Sequence, residues 1–514
     1  MDAVAFEHHL TSPQGHGRRP EGAFTAAAGG AACCDRVELS VSVERDHVAD
    51  AGFDARGCGA AAAAGSAAVT LARGQSILDV ARIGPAEIAA ELGGLSPAKR
   101  HAADVAADAL ARALGAAVRM QADLAPHGHG HGKRPRTLVA MSGGVDSAVA
   151  ALLCAREGDT AAVTLELWAD PENDAERSCC SASAVVQARA LAHGMGLPHF
   201  TIDLREEFRA GVVEPFIAGY AAGETPNPCV GCNGHVRLDA MLDLAARLGC
   251  ARLATGHYAR TAEAHHRDGP LLRVAADPGK DQTYMLAALS PASLARMHFP
   301  LGELFKPQVR AIAADAGLPV ASKADSQDLC FLAGTDRARF LARHGGLTDR
   351  RGQVVDARGR VLGRHSGQHR FTVGQRRGIG IPAAGEPLYV LDKDAMRNEV
   401  TVGPRSALET THVDLRHARL HRPAARVDRV KLRYRSRPLP CRVADDAEPG
   451  RHPALELALE DAVEGAAPGQ LACLMDGELV VGWGTIARRS RTSSPARPRP
   501  ASAYTAWLDG NELR

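Results

Sequence analysis

The chain has 514 residues, of which 45% are hydrophobic and 23% are charged. At about 150 residues per domain this length predicts about three domains, and the composition excludes a disordered chain, a coiled-coil rod and a small disulfide-stapled scaffold. Lys and Arg (61) nearly balance Asp and Glu (59), so the net charge neither requires nor excludes a nucleic-acid partner. The twelve cysteines follow no secretory signal, and the longest apolar stretch, at residues 59–71, is shorter than the ~18–20 residues of a membrane span. We therefore expect a cytoplasmic protein without a membrane segment.

Residues 1–120 form the first predicted domain, and its cysteines stand in short polar strings. The strings are Ala32-Cys33-Cys34-Asp35, Arg56-Gly57-Cys58-Gly59 and Leu95-Ser96-Pro97-Ala98-Lys99-Arg100-His101, and the last one runs into a helical pattern. They resemble the α+β NifU/IscU iron–sulfur scaffolds, a resemblance that implies binding of a cluster, iron or zinc by Cys33, Asp35, Cys58 and His101. The family's third cysteine would follow the histidine, where this chain has Ala102. Either Cys34 substitutes for it, or the domain serves to dock a sulfur donor.

Residues 121–136 are predicted to be a linker, because Gly, Pro, His and basic residues replace the hydrophobic pattern there. His127, His129 and His131 alternate with glycine and could bind a metal, but such a run has no fixed geometry. A solvated tether is therefore the favoured interpretation of this segment.

Between residues 137 and 335, short apolar runs alternate with helical patterns, which predicts crossover units and a parallel α/β sheet covered on both faces. The first strand, at residues 137–141, runs into Ser142-Gly143-Gly144-Val145-Asp146-Ser147 and then a helix. Two glycines let the backbone approach an anion, and the serines and the amides of the helix start can donate hydrogen bonds to phosphate. The loop is predicted to bind phosphate; the alternative is an ordinary glycine turn with Asp146 or Ser147 as a helix cap.

The string SGGVDS resembles the PP-loop of the ATP pyrophosphatases, whose domains are adenine nucleotide alpha hydrolase-like and cleave ATP between the α- and β-phosphates. The chain contains no Walker GxxxxGKS string, which disfavours γ-phosphate transfer. The resemblance implies ATP and Mg²⁺ as cofactors, with Asp146 helping to position both. The ATP-binding residues that it implies are Ala140, Met141, Ser142, Gly143, Gly144, Val145, Asp146, Ser147, Leu165 and Gly256.

Seven further strings follow the loop in a fixed order. They are TPNPCVGCN, ATGHY, GKDQTY, KPQVR, DSQDLCF, GQRRG and PGQ, which begin at residues 225, 254, 279, 306, 325, 374 and 468. Over residues 137–487 these strings resemble the tRNA-specific 2-thiouridylases of the MnmA type. The resemblance implies that ATP adenylates the C2 oxygen of the wobble uridine in tRNA and that sulfur then replaces this oxygen. The alternatives are another PP-loop tRNA thiolase or ligase, and an iron–sulfur assembly or carrier protein led by the N-terminal domain.

Sulfur transfer to a carbonyl carbon needs a soft nucleophile, which a cysteine persulfide provides. The resemblance implies that Cys330 carries the persulfide and that Cys232 releases its sulfur, closing a transient disulfide between the two. Many family members have Asp where this chain has Cys229, so Cys229, Cys232 and Cys330 could instead hold a four-iron cluster that supplies the sulfur. The local CxxC could equally be a zinc half-site or a redox pair. Cys179 and Cys180 are interpreted as structural.

Residues 336–425 are predicted to be a connecting domain, residues 426–487 a small antiparallel β-barrel or sandwich, and residues 488–514 a disordered tail. Within the barrel, alternation over residues 430–435 predicts a strand with Lys431, Arg433 and Arg435 on one face, opposite Val430, Leu432 and Tyr434. The basic face could contact phosphate, and an ordinary solvated face is the alternative.

The same resemblance implies two partners, tRNA and a sulfur donor such as a cysteine desulfurase or a sulfur relay protein. The N-terminal domain would assist this sulfur supply. The tRNA contacts that the resemblance implies are Asn227, Pro228, Cys229, His257, Lys280, Asp281, Gln282, Arg433, Tyr434 and Gln470, of which the first three would border the target base.

Overall fold

A computed structural model describes residues 3–30, 34–121, 124, 135–170, 182–263, 268–325, 329–332, 335–381 and 386–488. Cys33, Cys179, Cys180, the linker histidines and residues 489–514 lie outside these ranges. The chain divides into two compact units: the first comprises Met1–Arg205, Ala240–His257 and Arg296–Ala333, and the second Glu206–Asp239, Tyr258–Ala295 and Gly334–Arg514. Within the described ranges, none of the helices combines the length and the apolar character that a membrane crossing needs.

The first unit begins with an α+β domain, as the sequence predicts. Its elements are α1 (Ala3–Thr11), β1 (Phe24–Gly29), β2 (Arg36–Glu44), β3 (His47–Arg56), α2 (Gly59–Ala72), α3 (Ile77–Val80), α4 (Pro85–Glu91) and α5 (Arg100–Met120). The three strands form an antiparallel sheet in chain order. Because successive side chains of β2 point to opposite faces, Val37, Leu39 and Val41 all lie in the core with no exposed surface.

Residues 135–332 contain the helices and strands of the α/β region. In chain order they are β4 (Arg136–Ala140), α6 (Val145–Glu157), β5 (Thr160–Glu166), α7 (Ala182–Gly194), β6 (His199–Asp203), α8 (Arg205–Phe208), α9 (Glu214–Ala221), α10 (Pro228–Gly231), α11 (Leu238–Arg247), β7 (Cys250–Thr255), β8 (Arg260–Ala262), β9 (Leu271–Arg273), α12 (Thr283–Leu286), α13 (Pro291–Leu294), β10 (Met297–His298) and α14 (Lys306–Asp315). In the first unit, five of the strands pair in parallel in the order β10-β7-β4-β5-β6. Every residue of β5 is buried, as expected for a parallel sheet covered on both faces. The predicted parallel sheet is confirmed.

The edge strand β6 is covered by the N-terminal domain, which belongs to the same unit. The backbone N–H of His199 donates to the carbonyl oxygen of Ala81 at 2.9 Å, so part of the strand edge is paired. Helix α5 packs so closely that a Cβ atom added at Gly115 would lie 1.8 Å from the carbonyl oxygen of Thr201. An uncovered edge strand exposes unpaired backbone groups, and this packing removes that exposure.

The second unit contains two further sheets. A four-stranded sheet has the order β12-β11-β14-β13 and a core that includes Val354, Val390 and Val400. The elements of this region are α15 (Arg337–Gly345), β11 (Gly352–Val355), β12 (Val361–His365), β13 (Tyr389–Asp394) and β14 (Glu399–Gly403). Strands β11 and β14 pair in parallel, and the other two pairs are antiparallel.

The second sheet closes into a six-stranded barrel, which confirms the barrel prediction. Its strands are β15 (Glu409–Leu420), β16 (Arg429–Lys431), β17 (Leu439–Val443), β18 (Gly450–Glu464), β19 (Leu471–Asp476) and β20 (Leu479–Ile486). They follow the order β15-β18-β17-β16-β19-β20, and β15 also pairs with β20. The barrel therefore includes a strand that precedes residue 426, and β9 and β8 extend the sheet beyond β20.

The predicted strand over residues 430–435 is wrong in its second half. Strand β16 ends at Lys431, and the chain turns over residues 433–436. Both the backbone N–H and the hydroxyl of Ser436 donate to the carbonyl oxygen of Arg433, at 3.2 Å and 2.9 Å. These bonds close a turn, and period-two alternation alone does not reveal them. Lys431, Arg433 and Arg435 consequently do not form one strand face.

Substitution of Gly115 tests the packing of α5 on the sheet. Gly115→Ala places a methyl group against the Thr201 carbonyl, so we expect the free energy of unfolding to fall by about 1–3 kcal/mol, as for an overpacked core. Gly194→Ala in α7 is the matched control, because a Cβ there meets nothing within 4 Å. Denaturant unfolding of the full chain measures both variants, and equal effects would contradict the close approach.

Candidate functional site

The loop after β4 is built by its own glycines and serines. Gly143 has a φ of +69°, a conformation that favours glycine, and a Cβ atom there would lie 3.0 Å from the carbonyl oxygen of Ala184. The Ser147 hydroxyl donates to the Gly144 carbonyl at 3.1 Å and accepts from the Ser142 amide at 3.1 Å. Ser147 thus holds the loop in shape, and Gly144 caps the start of α6. This arrangement leaves the helix start without a bulky neighbour at the capping position.

Gly256 brings a second strand end to this loop. It follows β7, and a Cβ atom added there would lie 2.7 Å from the amide nitrogen of Ser147 and 2.8 Å from the carbonyl carbon of Asp146. The neighbouring Thr255 hydroxyl hydrogen-bonds to Nδ1 of His257 at 2.9 Å. The structure therefore places residues 140–147 and Gly256 together, at the carboxyl ends of adjacent parallel strands, where α/β sheets bind ligands.

Two lysines that the sequence analysis assigned no role reach the same loop. Nζ of Lys306 lies 2.7 Å and 2.8 Å from the two carboxylate oxygens of Asp146, and it also pairs with Asp325 at 2.9 Å. Nζ of Lys323 donates to the carbonyl oxygen of Gly143 at 3.0 Å and to Oε1 of Gln187 at 2.6 Å. The loop thus has two ammonium groups and the carboxylates of Asp146 and Asp325 nearby, so the backbone amides at the helix N-terminus, rather than a net positive charge, favour an anion there.

A separate cluster of ligand atoms lies in the N-terminal domain. The Cys58 thiol donates to Oδ2 of Asp35 at 3.1 Å, and Nε2 of His101 lies 2.7 Å from the same oxygen. The Cys58 amide, which donates to Oδ1 at 2.7 Å, is the largest influence that lowers the pKa of Asp35. The three ligand atoms lie within 4.8 Å of one another. One sulfur, one nitrogen and one oxygen donor at this spacing fit zinc or iron.

Ala102 stands where the scaffold family would have its third cysteine, and it is fully buried in α5. A methyl group cannot ligate a metal, so the described part of the cluster ends at three donors. Cys34, the candidate substitute, is exposed and adopts a φ of 59°. Cys33 lies outside the described residues.

The CxxC string forms a short helix in the second unit. Oδ1 of Asn227 accepts from the Cys229 amide at 3.1 Å and so caps α10, with Pro228 at the first helical position. Cys229 is half-buried, and Cys232 is buried at the start of a π-helical segment, Cys232–Arg237. Cys330 belongs to the first unit, where it begins a half-buried 3₁₀ turn, Cys330–Leu332.

Four further cysteines lie in the protein core. Burial raises the pKa of each of these thiols to about 12, so these side chains stay protonated and cannot act as nucleophiles at neutral pH. The group consists of Cys154, Cys250, Cys441 and Cys473.

The segment before the CxxC helix is held by the rest of the second unit. The Thr225 amide donates to the carbonyl oxygen of Pro468 at 2.9 Å, and Nε2 of Gln470 donates to the Thr225 carbonyl at 2.6 Å. Arg416 pairs with the Glu224 carboxylate at 2.8 Å. Gln470, expected to contact tRNA, therefore makes a bond that fixes the chain three residues before Pro228.

Other residues expected to contact tRNA also bind within the protein. Asp281 accepts from the Thr283 hydroxyl at 2.8 Å and pairs with Lys431 at 3.3 Å, and both charged side chains are about one-tenth exposed. Oε1 of Gln282 accepts from the Tyr258 amide at 2.9 Å. Lys431 is thus an internal partner of Asp281. Arg433 is exposed and donates to the Gly465 carbonyl at 2.6 Å, and the Arg435 guanidinium lies 5.6 Å from the Tyr434 ring centre.

Lys393 is the most unusual charged side chain near this segment, because it has no exposed surface. Its Nζ donates to the carbonyl oxygens of Phe371 at 2.9 Å and Glu224 at 3.3 Å. Burial, followed by the positive charges of Arg337 and Arg488, lowers its pKa from 10.5 to about 7, while Asp392 and Glu224 act in the opposite direction.

Comparison with known families agrees with this architecture. The NifU-like N terminal domain matches residues 3–122 and the tRNA methyl transferase HUP domain residues 135–334. The tRNA methyl transferase PRC-barrel domain matches residues 338–404, and the aminomethyltransferase beta-barrel domain residues 411–486. The fold and the loop thus define a HUP-domain protein of the PP-loop type with a NifU-like domain in the same chain.

Relatives match the chain over most of its length. The bifunctional protein NifU/MnmA of Rubrobacter xylanophilus is 44% identical over 490 residues, which cover 94% of this chain and 97% of that protein. The tRNA-specific 2-thiouridylases MnmA of Geotalea uraniireducens and Xanthobacter autotrophicus are 40% and 42% identical, each over 70% of this chain and 97% and 94% of their own length. The chain belongs to the family of the bifunctional NifU/MnmA proteins.

Replacement of Lys393 tests its burial through the pH dependence of stability. Between pH 7 and 10.5 the unfolded chain binds a proton that the folded Lys393 does not, so this residue makes stability rise with pH by up to about 1.4 kcal/mol per unit. Below pH 7 its full destabilising cost is present. We expect Lys393→Met to remove this rise in a series of denaturant titrations from pH 6 to 10. Lys99→Met, at an exposed lysine, is the control, and an unchanged slope in Lys393→Met would contradict the account.

Proposed function

We propose that this protein is an ATP-dependent tRNA uridine 2-sulfurtransferase that thiolates the wobble uridine. The observation that carries the proposal is the 44% identity to a bifunctional NifU/MnmA protein across 94% of the chain. The phosphate loop supports it, because Gly143, Gly144 and Gly256 leave backbone amides open to an anion beside Lys306 and Lys323. Mg²⁺ would bind with ATP near Asp146, whose carboxylate is held by Lys306.

The first chemical step activates the uridine. The C2 oxygen attacks the α-phosphorus of ATP, the bond to the β-phosphate oxygen breaks, and pyrophosphate leaves from the phosphate loop. The loop would bind the leaving pyrophosphate through the amides at the start of α6, whose positions are fixed by the hydrogen bonds of Ser147 with Ser142 and Gly144. The adenylated oxygen is then a good leaving group.

The second step brings the sulfur. The terminal sulfur of a Cys330 persulfide attacks C2, and AMP leaves with the former C2 oxygen. The Cys232 thiolate then attacks Sγ of Cys330, the persulfide S–S bond breaks, and the sulfur stays on the uridine as 2-thiouridine. A Cys232–Cys330 disulfide forms, and a thiol reductant reopens it. In an alternative route, Cys229, Cys232 and Cys330 would hold an iron–sulfur cluster, which would supply the sulfur.

The N-terminal domain would assist sulfur or cluster supply in the cytoplasm. Its Asp35, Cys58 and His101 would hold zinc or iron, and Cys33 would complete the group. A cysteine desulfurase or a sulfur relay protein would be the donor. The tRNA would contact Asn227, Cys229, His257 and Lys280, together with the exposed Arg433.

Thiolation in cells tests the function through the phosphate loop. A Cβ at Gly144 meets only Ser142 Oγ, at 3.6 Å, so Gly144→Val should fold while its side chain fills the space above the start of α6. We expect nucleosides from a deletion strain that carries this variant to lack 2-thiouridine. Gly194→Val, in open space, is the matched control and should restore it. Mass spectrometry measures the nucleoside, and normal 2-thiouridine in the deletion strain itself would refute the function.

Cysteine variants separate the two sulfur routes. We expect Cys232→Ala and Cys330→Ala to be inactive under either route, and Cys154→Ala, at a buried thiol, to keep its activity. Cys229→Asp should stay active in the persulfide route, but in the cluster route a harder carboxylate loosens iron, so visible absorbance and activity fall together. Iron content and 2-thiouridine, measured anaerobically, decide between the routes; iron-free wild type with full activity would end the cluster route.

A further inference from the structure

An ion-pair network joins the NifU-like domain to the nucleotide-binding sheet within the first unit. Arg112, on α5, donates from Nη1 to Oε2 of Glu166 at 2.5 Å and from Nε to Oδ2 of Asp108 at 2.9 Å. Arg189, on α7, donates to the other oxygen of Asp108 at 2.8 Å. Glu166 and Arg189 are only 6% and 4% exposed, and the side chains of Arg112 and Asp108 are 21% and 17% exposed, so the network is largely but not fully shielded from water.

The charges of the network are matched. Burial alone would raise the pKa of Asp108, but the guanidinium groups of Arg189 and Arg112 hold it below its ordinary value. Loss of one partner would leave a buried charge without compensation, which is costly in a protein interior. The geometry of the network is therefore tightly specified.

Glu166 lies at the same end of the sheet as the phosphate loop. It is the last residue of β5, and β5 pairs in parallel with β4, the strand that leads into the loop. The first amide of the loop, at Met141, donates to the carbonyl oxygen of Val163 in β5 at 2.8 Å. In open α/β sheets a ligand lies in the crevice outside the carboxyl ends of neighbouring strands. The carboxyl end of β5 is thus one wall of the nucleotide crevice.

Further hydrogen bonds fix the position of helix α5 against the sheet. Arg119 donates to the carbonyl oxygen of Asp203 at 2.5 Å, and Asp203 is the residue paired with Glu166 in the sheet. Arg247, on α11, donates to the carbonyl oxygens of Arg119 and Gln121. The C-terminal half of α5 is therefore anchored to two other elements of the unit.

We propose that Arg112 is a positioning residue through which the NifU-like domain fixes the carboxyl end of β5 for ATP binding. This inference rests on the proposed ATP-dependent function. The NifU-like domain then contributes to adenylation as well as to sulfur supply, because the same helix carries His101 at its beginning and Arg112 further along.

A double-mutant cycle on the full chain tests the proposal, with ATP and Mg²⁺ titrated by calorimetry in the absence of tRNA. We expect Arg112→Met and Glu166→Gln each to raise the Kd for ATP at least about 5-fold, the lower end of typical site-to-site coupling. The double variant should be no weaker than the worse single variant, because both remove one interaction. In a separate titration with tRNA, the Kd of each variant for tRNA should equal that of the wild type. Arg73→Met, which breaks an ion pair with Asp50 inside the NifU-like domain, is the control with unchanged ATP binding.

Thermal melts show whether each variant is folded before it is titrated. Arg112→Lys, which keeps the charge, should have a Kd for ATP between those of the wild type and Arg112→Met. If Arg112→Met does not fold, Glu166→Gln decides the question, since it keeps the side-chain volume. Unchanged ATP affinity in a folded variant, or additive effects in the cycle, would overturn the role of Arg112 and leave the proposed function intact. Absence of ATP binding by the wild type would overturn both.

Discussion

Everything proposed for the nucleotide site depends on backbone that can approach an anion without a side chain in the way. Gly256 allows the end of β7 to lie against the first turn of α6, and Gly143 takes a left-handed conformation where other residues are strained. The Ser147 hydroxyl then fixes the loop from inside. Phosphate would therefore meet backbone amides whose positions the loop's own hydrogen bonds fix.

The sulfur chemistry depends on a different constraint, the way in which the second unit holds the segment that carries Cys229 and Cys232. Four thiols are kept protonated by their surroundings, so they contribute packing only. Cys229 and Cys232 instead lie on a capped helix whose preceding segment is held by Gln470, Arg416 and Lys393. The second unit therefore fixes the position of this helix through groups far away in sequence.

Local sequence was sufficient for much of the fold. Hydrophobic runs predicted β4, α6, β5, α7 and β6 and a parallel sheet, because each element's period is visible in a short window, but they did not predict the strand order. The loop was identified from its glycines and serines after a strand, and the resemblance to NifU/IscU scaffolds implied the group of Cys33, Asp35, Cys58 and His101. The structure brings together the described members of each set, apart from Leu165, for which no contact with the loop is described, while Cys33 lies outside the described residues.

What the sequence could not show arises from pairing between distant residues. The bond between Lys306 and Asp146 spans 160 positions, so the string KPQVR that begins at Lys306 does not reveal this partner. The family resemblance implied that Asp281, Gln282 and Gln470 contact tRNA. In the structure the polar atoms of these side chains also form hydrogen bonds within the protein. The strand predicted through Arg435 failed because hydrogen bonds from Ser436 favour a turn, a competition that side-chain alternation does not record.

The most direct test of the central claim, that ATP adenylates the uridine before sulfur arrives, is a single-turnover reaction of the full chain. Labelled ATP and unmodified tRNA would be mixed with a cysteine desulfurase, cysteine as the source of sulfane sulfur and a thiol reductant, and AMP and 2-thiouridine would be quantified over time. The account predicts that AMP and 2-thiouridine form in equal amounts, with pyrophosphate as the other product. Release of ADP and phosphate, or 2-thiouridine formed without AMP, would contradict it.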